Sequence, residues 1–518
     1  MRRLETPPLV RALCLPAVLF AIYLWRWQFV DVPLERDEGE YAYFGQVLRD
    51  GGTPYVDAHN MKFPGVYLVY GAVFSLCDDN ARVVRLTATA AHLLSAVFLY
   101  LLARRWFNFL PSLLAVASFG FLASGIGILG FAAKAEHFVL AFALPALWLA
   151  VRAEGALRLV HLAAAGALLG CAVLMKQSAF LLALPVVAAC RAQGWRRSAE
   201  RGLAFALGLA VPLTAMGAML VASRAWDSFW FWTVVYAREY GTQIGFADGL
   251  VQLGRAAHRL LQDGPWVWLA AGLGGVAAAF RYRARAFQGF WWIVGASLAS
   301  PALGWRFSEH YFLPALPAAA LLTAALSDAT RSRVRSLGAA LVAAGVLVSA
   351  VQMRLLLREL RPEQVARLVY QANPFPEAME VGRFLASRTA PEDQLAVLGS
   401  EPQIYFYARR RAATSYLYMY PLMEAHPYAE RMQEELIAQL EARKPRYAVL
   451  VNVASSWRMQ PHSPRRIFEW SQDWVNREYE QVGLIEISPD GPSWIFWDDA
   501  AKRFPSGDTY LAVFRRRP

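Results

Sequence analysis

Acidic and basic side chains crowd into one short stretch near the N-terminus, where Arg36-Asp37-Glu38-Gly39-Glu40 follows a long apolar run. Carboxylates can take protons as general bases, and cations can stabilise charge that develops on a leaving group. A structural interpretation is equally open: charges at a membrane boundary stop a helix from sliding, and acids favour helix N-termini. The stretch is therefore a candidate for acid–base chemistry or for a helix boundary.

Ionisable residues interrupt apolar sequence at three later points: Lys134 with Glu136 and His137, Lys176 with Gln177, and Arg306 with Glu309 and His310. Each group alone is typical of a short charged loop. Together with the first stretch, we expect them to form the rim of one site on one side of a membrane. Such a mixture suits sugar transfer from a lipid phosphate: a carboxylate takes the proton of an acceptor hydroxyl, and cations stabilise the departing phosphate.

The elements that must position these residues are membrane helices. Of 518 residues, 57% are hydrophobic and only 18% are charged, whereas a water-soluble protein needs more charged surface. Runs of about 20 apolar residues span a bilayer, and they predict a polytopic α-helical membrane protein with about 11 or more spans. The spans are expected near 12–30, 86–103, 109–130, 137–151, 159–175, 178–190, 202–222, 264–280, 286–304, 310–327 and 336–353.

Basic residues gather in alternate loops between the predicted spans, and the basic loops of membrane proteins are cytoplasmic. This pattern places the N-terminus in the cytoplasm and the candidate residues on the extracytoplasmic side. The net charge of +12 is then a consequence of topology. We call residues 354–518 the tail. We expect no nucleic-acid partner, because no basic stripe interleaved with aromatic residues occurs in the tail. The four cysteines form neither a disulfide framework nor a metal-ligand spacing.

Two domains are predicted: residues 1–353 are embedded in the membrane, and residues 354–518 form an extracytoplasmic α/β domain. An outer loop at 31–85 carries the first charged stretch. Within this loop, 41–48 and 65–76 have the spacing of two amphipathic helices that lie on the membrane interface. In the tail, helices are expected at 376–388, 428–442 and 465–477, and strands at 394–399, 446–453, 481–487 and 509–514.

Three segments of the outer loop carry a resemblance to a known family. Residues 36–43 read Arg-Asp-Glu-Gly-Glu-Tyr-Ala-Tyr, residues 52–57 read Gly-Thr-Pro-Tyr-Val-Asp, and residues 62–65 read Lys-Phe-Pro-Gly. This pattern resembles the first outer loop of family-39-type glycosyltransferases. These are GT-C-fold relatives of the dolichyl-phosphate-mannose protein mannosyltransferases and of lipid A aminoarabinose transferase. Residues 134–136, 174–177 and 310–314 match later landmarks of the family more loosely.

The resemblance implies a hexosyl or pentosyl transferase that uses a polyprenyl-phosphate donor. The acceptor would be a hydroxyl group of a lipid, glycan or protein on the extracytoplasmic side. Asp37 matches the catalytic aspartate, which implies a general base in an inverting displacement; that Asp37 has this role and not Glu38 rests on the resemblance alone. Glu136 matches a second acidic residue of the next outer loop, and the resemblance implies that it belongs with Asp37 and Glu38 to the catalytic residues, where it would hold the acceptor or Asp37. Lys62 matches a lysine linked to the carrier phosphate, although the family's Lys-Pro-Pro reads Lys-Phe-Pro here.

The expected donor-phosphate ligands are Lys62, Lys176, Arg306 and His310. No cofactor is required by the sequence; a divalent cation at the acidic pair Asp37-Glu38 is left open, and no full metal-ligand set is visible. The expected location is a bacterial inner or plasma membrane, with membrane lipid as a partner.

Two other functions compete with sugar transfer. A transporter or flippase of a lipid-linked saccharide would have many spans, but such proteins show internal repeats and midplane charges, and neither is found. A membrane scaffold with a partner-binding outer domain would leave the acid–base rim unexplained.

Overall fold

The computed structural model describes residues 8–328, 332–488 and 491–518. It divides into two compact units, and each is built from three segments of the chain. We call the first the helical unit; it comprises Met1–Val30, Arg85–Met219 and Ile244–Glu359. We call the second the mixed unit; it comprises Asp31–Val84, Leu220–Gln243 and Leu360–Pro518. The predicted cytoplasmic N-terminal segment before Pro8 lies outside the described residues.

Apolar α-helices make up the helical unit, as expected for sequence that must satisfy its backbone polar groups within each segment. The α-helices are Pro8–Trp27, Ala81–Ala103, Phe109–Leu122, Ala135–Val151, Arg158–Met175, Leu184–Ala189, Trp195–Ala222, Phe246–Asp263, Pro265–Arg281, Gln288–Ala299, Leu316–Ser327 and Ser332–Leu357. Short 3-10 helices occur at Gly155–Leu157, Gln177–Ala183, Arg285–Phe287, Ser300–Ala302 and Glu309–Ala315.

Five helical stretches in the described part of the chain are long and apolar enough to cross a membrane, judged by length and composition. They are Ala81–Ala103, Gly155–Met175, Trp195–Ala222, Glu309–Ser327 and Ser332–Leu357. Each overlaps one of the predicted spans, so the chain is an integral membrane protein. The predicted total of about 11 spans stays a prediction. Other apolar helices in the described residues vary in length, with 14 residues in Phe109–Leu122 and 20 in Pro8–Trp27, whereas a span needs about 20.

The mixed unit combines helices with one sheet. Its α-helices are Arg36–Arg49, Gly65–Phe74, Trp226–Trp230, Ala237–Thr242, Pro362–Tyr370, Phe375–Arg388, Pro402–Ala408, Tyr420–Met423, Ala429–Arg443, Ala454–Trp457 and Arg466–Glu478. A π-helix covers Phe231–Tyr236 and a 3-10 helix covers Asp498–Ala501. The strands are β1 (Gln394–Leu398), β2 (Arg411–Ala412), β3 (Tyr447–Asn452), β4 (Tyr479–Glu486), β5 (Trp494–Trp497) and β6 (Tyr510–Arg516).

The six strands form one mixed sheet in the order β2-β1-β3-β6-β4-β5. Strand β1 runs parallel to β2 and β3, and the other pairs are antiparallel. Val449 on β3 pairs with Val397 on β1 and with Val513 on β6, so β-branched side chains fill the buried centre. The four predicted strands correspond to β1, β3, β4 and β6. Sequence reasoning missed β2, which has two residues, and the edge strand β5.

Helix Arg36–Arg49 begins at a capping box between Glu35 and Glu38 and ends before Gly51, whose φ of 75° favours glycine. Nearly all of its side chains are buried, so the prediction of an amphipathic helix is wrong for this element. It packs against Gly65–Phe74 on one side and Pro402–Ala408 on another. Aromatic residues at several positions around the helix allow burial on more than one face.

The outer loop and the tail are joined by charged and polar contacts within the mixed unit. Asp79 is buried and pairs with Arg49 at 2.9 Å and with Arg409 at 2.8 Å. The Tyr43 hydroxyl accepts a hydrogen bond from the backbone N–H of Ala412 at 2.8 Å. The predicted division at residues 353 and 354 assigns the loop and the tail to different domains, and that division stays a prediction.

Candidate active site

Asp37 and Lys62 meet in the mixed unit, together with a second acid, Glu40. The Lys62 Nζ lies 2.8 Å from Asp37 Oδ1 and 2.5 Å from Glu40 Oε2. Asp37 and Glu40 are three residues apart on helix Arg36–Arg49, so both carboxylates project from the same helix face. One ammonium group therefore bridges two carboxylates.

The side chains of this group differ in their access to solvent. Those of Asp37 and Lys62 are 23% and 26% exposed, whereas that of Glu40 is 0% exposed. Glu40 Oε1 accepts a hydrogen bond from Tyr67, and its Oε2 accepts one from the Tyr418 hydroxyl at 3.0 Å. We call these five residues the carboxylate–lysine cluster. A ligand can reach Asp37 and Lys62, while Glu40 is enclosed by protein.

Burial and charge act in opposite directions on Lys62. Burial disfavours the ammonium, but the carboxylates of Asp37 and Glu40 outweigh it and raise the pKa of Lys62 well above its ordinary value. Burial raises the pKa of the Glu40 carboxyl, and Lys62 opposes that rise. The Tyr55 hydroxyl donates a hydrogen bond to the backbone oxygen of Lys62 at 2.7 Å, which fixes the loop. Lys62 is therefore a cation held in a defined place.

Arg36 anchors the N-terminal end of the same helix to the tail. Its Nη2 lies 2.7 Å from Glu401 Oε1, its Nε donates to Ser400 O at 2.8 Å, and its Nη1 donates to Asn373 Oδ1 at 2.6 Å. The Glu401 side chain is fully buried. Because Asp37 follows Arg36 directly in the chain, this anchor sets the position from which the Asp37 carboxylate projects.

Glu38, the neighbouring acid weighed against Asp37 as the catalytic residue, caps its own helix. Its side chain accepts a hydrogen bond from the backbone N–H of Glu35 at 3.2 Å, and the Glu35 side chain accepts one from the backbone N–H of Glu38. This reciprocal pair satisfies two helix-terminal donors. Glu38 is fully buried. Of the two neighbouring carboxylates, Asp37 is therefore the one that is open to solvent.

Glu136, Lys176 and His310 come together in the helical unit. Lys176 Nζ donates a hydrogen bond to Glu136 Oε1, and His310 Nε2 lies 4.0 Å from the same oxygen. Lys176 Nζ also lies 3.6 Å from the ring centre of Tyr311, a cation–π contact. Glu136 is 2% exposed and occupies the first turn of helix Ala135–Val151, where the helix dipole favours an acid. We call these four residues the Glu136 cluster.

Arg306, another predicted phosphate ligand, lies on a turn that precedes His310 in the chain. Trp305 and Phe307 on either side of it adopt positive φ angles of 54° and 41°, which are strained for bulky residues. Arg306 itself is half-buried. Glu309 pairs with Arg259. The assembly of all the charged groups into one rim stays a prediction, as do the roles of the individual residues.

The sequence leaves a divalent cation open at the acidic pair Asp37-Glu38. Across the described ranges, no group of three or more His, Cys, Asp or Glu residues is arranged to hold a metal ion. The carboxylates of Asp37 and Glu40 enclose the Lys62 ammonium instead. In this cluster the positive charge comes from a side chain.

Comparison with known proteins adds to this geometry. Residues 61–221 match the sequence profile of the dolichyl-phosphate-mannose-protein mannosyltransferase family. The matched stretch is shorter than half of the chain; it includes Lys62, Glu136 and Lys176 and begins after Asp37. No curated protein matches the chain at the sequence level.

Solved structures match nearly the whole chain. ArnT from Cupriavidus metallidurans, in a crystal structure bound to undecaprenyl phosphate, has a TM-score of 0.55 and 16% identity and covers 97% of each chain. The oligosaccharyltransferase AglB from Archaeoglobus fulgidus, in complex with an inhibitory peptide and a dolichol-phosphate, has a TM-score of 0.51 and 13% identity; the match covers 97% of this chain and 76% of AglB. This chain has the GT-C fold. The predicted fold class, a helical membrane protein with a C-terminal α/β region, is confirmed.

Sequence reasoning gave no separate role to Glu40, and it missed three further residues around the candidate site of this GT-C protein: Tyr67, Glu401 and Tyr418. The position of Glu40 could have been predicted, because a spacing of three in a predicted helix places it beside Asp37. That of Tyr418 could not, since it contacts Glu40 from 378 positions away in the chain. No local pattern connects residues so far apart.

Proposed function

We propose that this protein is a glycosyltransferase that moves a sugar from a polyprenyl-phosphate donor to an acceptor hydroxyl on the extracytoplasmic side of a membrane. The observation that carries the proposal is the partly exposed pair of Asp37 and Lys62, whose charged atoms lie 2.8 Å apart. A base and a cation are the two groups that this transfer requires. The GT-C fold, shared with an ArnT crystal structure that holds undecaprenyl phosphate, supports this type of donor.

In the proposed reaction, Asp37 is the general base of an inverting displacement. Its carboxylate accepts the proton of the acceptor hydroxyl while the hydroxyl oxygen bonds to the anomeric carbon of the sugar. The bond between that carbon and the carrier phosphate breaks, and its electron pair stays on the phosphate oxygen. The carrier leaves as a phosphate monoester with one more negative charge, which the Lys62 ammonium stabilises. Attack from the face opposite the phosphate inverts the configuration at the anomeric carbon.

The Glu136 cluster is proposed to bind the donor and not to take part in proton transfer. Its lysine is partly exposed, at 21% of the side chain, and lies against the Tyr311 ring as well as Glu136. A lysine ammonium is a point charge suited to a phosphate oxygen. Lys176, with His310 and Arg306, would therefore contact the carrier phosphate, while Glu136 keeps Lys176 in place.

The test is carrier release from a panel of hexosyl and pentosyl undecaprenyl phosphates by purified protein supplied with a membrane acceptor fraction. Wild-type protein should release undecaprenyl phosphate from at least one donor, and Asp37→Asn should slow that release by about 10²- to 10⁴-fold, the usual contribution of a general base. Asp50→Asn is the matched control, because Asp50 is 43% exposed at the far end of the same helix and should retain the wild-type rate. Release at the wild-type rate by Asp37→Asn would refute the assignment of the base.

The same assay separates transfer from transport. A transporter or flippase moves a lipid-linked saccharide with its sugar–phosphate bond intact, so it would release no undecaprenyl phosphate. No feature of the described residues favours that alternative, and its expected result is a labelled lipid that changes leaflet without being cleaved.

The extracytoplasmic placement of the outer loop can be tested through a native thiol. Cys77 is exposed, whereas Cys14 and Cys171 are half-buried and Cys190 is buried. A membrane-impermeant maleimide added to intact spheroplasts should label wild-type protein and leave Cys77→Ser unlabelled. Labelling of Cys77 that appears only after the membrane is permeabilised would place this loop in the cytoplasm.

A further inference from the structure

Glu40 is a charged group that the proposed reaction does not use. It lies one helical turn from Asp37 and is fully buried, whereas Asp37 and Lys62 are partly exposed. A carboxylate in such a place must be paired and hydrogen-bonded, because burying an isolated charge costs several kcal/mol or more. Three donors surround it, so its place in the cluster is tightly specified.

The donors come from three separate parts of the mixed unit. Tyr67 belongs to helix Gly65–Phe74, Lys62 to the loop before that helix, and Tyr418 to the tail. Lys62 Nζ is also 4.6 Å from the Tyr41 ring centre. The Glu40 carboxylate is therefore contacted by the loop through Lys62, by the following helix through Tyr67 and by the tail through Tyr418.

A second buried carboxylate in the same unit provides a contrast. Glu424 accepts hydrogen bonds from the Tyr236 hydroxyl at 2.6 Å and from Gln243 at 3.3 Å, and it is 5% exposed. Its two donors are neutral. Glu40 has the same kind of tyrosine contact and, in addition, a lysine that also pairs with Asp37. The contact with Lys62 therefore distinguishes Glu40 from Glu424.

We propose that Glu40 is a positioning residue that holds the Lys62 ammonium while that ammonium moves from Asp37 to the carrier phosphate. The inference rests on the proposed function, because it assumes that a phosphate enters beside Lys62. With Asp37 as its sole anchor, Lys62 would lose its position when the phosphate drew it away, since a lysine side chain has many rotamers. With Glu40 as a second anchor, the Lys62 ammonium keeps its contact with Glu40 while it exchanges Asp37 for the phosphate. Asp37 is then released from its cation when it must accept a proton.

The tail contributes to the positioning of Lys62 through Tyr418. Its hydroxyl donates to Glu40 Oε2, the oxygen that also contacts Lys62, while Tyr67 donates to Oε1. The two tyrosines hold the carboxylate on both oxygens, so it cannot rotate to follow the lysine. This gives residues 354–518 a direct part in donor binding.

A double-mutant cycle tests whether Glu40 acts through Lys62 or only through packing. Binding of undecaprenyl phosphate to purified protein is measured for wild type, Glu40→Gln, Lys62→Ala and the double variant. We expect Lys62→Ala to weaken binding by about tenfold or more and Glu40→Gln by about fivefold, the range seen for coupled charged neighbours. In the Lys62→Ala background, Glu40→Gln should change binding by less than about twofold, because the partner through which it acts is gone.

Glu424→Gln is the matched control, since it neutralises a buried, tyrosine-bonded carboxylate in the same unit without touching the cluster; its binding should equal that of wild type. Tyr418→Phe provides a second variant if Glu40→Gln does not fold, with an expected loss of about twofold that disappears in the Lys62→Ala background. Losses at Glu40 and Lys62 that multiply would overturn the proposal. An equal loss in Glu424→Gln would overturn it too.

The outcome separates this inference from the proposed function. Wild-type protein that binds the carrier but transfers no sugar contradicts the proposed function, and the binding cycle still decides the role of Glu40. Wild-type protein that transfers sugar but shows multiplicative losses contradicts the role of Glu40 alone. Absence of carrier binding by wild-type protein contradicts both.

Discussion

The two units each contain a lysine on a buried carboxylate with tyrosine beside it, yet the two clusters differ in charge and access. In the carboxylate–lysine cluster, Asp37 and Glu40 face one ammonium, and Asp37 is 23% exposed. In the Glu136 cluster, one carboxylate that is 2% exposed pairs with Lys176. The first cluster has two carboxylates for one lysine and presents one of them to solvent, which suits proton transfer. The second has one buried carboxylate for one lysine, which suits binding.

This difference could not be inferred from the residue types, because both clusters contain Lys, Glu and Tyr. It arises from which carboxylates share one lysine and from which of them is enclosed. Single substitutions in each cluster can show whether the two clusters have separate roles.

Among residues other than Asp37, replacement of Lys62 should have the largest effect. Lys62→Ala removes the cation beside the leaving phosphate, so kcat/KM for donor should fall by about 10²- to 10³-fold. Lys62→Arg keeps the charge in a planar group of different reach and should lose about tenfold. Steady-state transfer kinetics measure both. Equal losses from the two variants would show that the charge at this position does not contact the phosphate.

The Arg36 anchor tests what holds the first cluster in place. Arg36→Ala leaves the buried Glu401 carboxylate without its cation, and breaking a buried pair of this kind costs about 3–5 kcal/mol. Arg82→Ala breaks an exposed pair with Asp31 and should cost little, because exposed pairs contribute little. Thermal unfolding in detergent compares the two variants. A similar fall in both midpoints would mean that the buried pair is no more important than a surface contact.

Replacement of Lys176 tests directly whether the Glu136 cluster acts in donor binding alone. If the Glu136 cluster binds donor, Lys176→Ala should raise the donor KM by about tenfold, a loss of about 1.4 kcal/mol in binding, with little change in kcat. Initial rates over a range of donor concentrations separate the two constants. A fall in kcat as steep as that of Lys62→Ala would mean that both clusters take part in the chemical step.

The smallest effect concerns the loop that leads to the Glu136 cluster. Asp263 Oδ2 accepts hydrogen bonds from the backbone N–H of Gly127 at 2.7 Å and of Ile128 at 3.2 Å. Burial raises the pKa of Asp263 from 3.8 to about 6, against the effect of these bonds. The folded state therefore binds this proton more tightly than the unfolded state. The resulting stability is fully present below the ordinary pKa and is lost as the pH rises through about 6.

Lowering the pH from 7 to 5 should therefore raise the free energy of unfolding by about 1 kcal/mol more in wild type than in Asp263→Asn. Thermal midpoints of the two proteins at both pH values provide the measurement. An identical pH response would show that Asp263 has its ordinary acidity in the folded chain.

Much of the fold could be predicted from the sequence, because its signals are local. Apolar runs located the helices that are long enough to span, and short strand-like stretches located β1, β3, β4 and β6. Helix Arg36–Arg49 was expected as amphipathic, but it is buried on most sides because the tail packs on it at Gly39. A Cβ there would lie 2.5 Å from Gln403 Cβ. That approach depends on residues far away in the chain.

Part of the candidate site could likewise be predicted from the sequence. Asp37 and Lys62 were singled out by their charges and by the family resemblance, and the structure places them in contact. The position of Glu40 beside Asp37 follows from their spacing of three residues on one helix. Those of Tyr418 and Glu401 could not be predicted, because the contacts that the tail makes with the loop have no signature in a single sequence.

The central claim, that one cluster performs chemistry and the other binds donor, is tested most directly by Asp37→Asn and Glu136→Gln side by side. The measurement is the single-turnover rate of sugar transfer at saturating donor, so that weakened binding does not contribute. We expect Asp37→Asn to lose about 10²- to 10⁴-fold and Glu136→Gln to stay within about threefold of wild type, since it alters binding alone. A wild-type rate in Asp37→Asn, or an equal loss in Glu136→Gln, would contradict the claim.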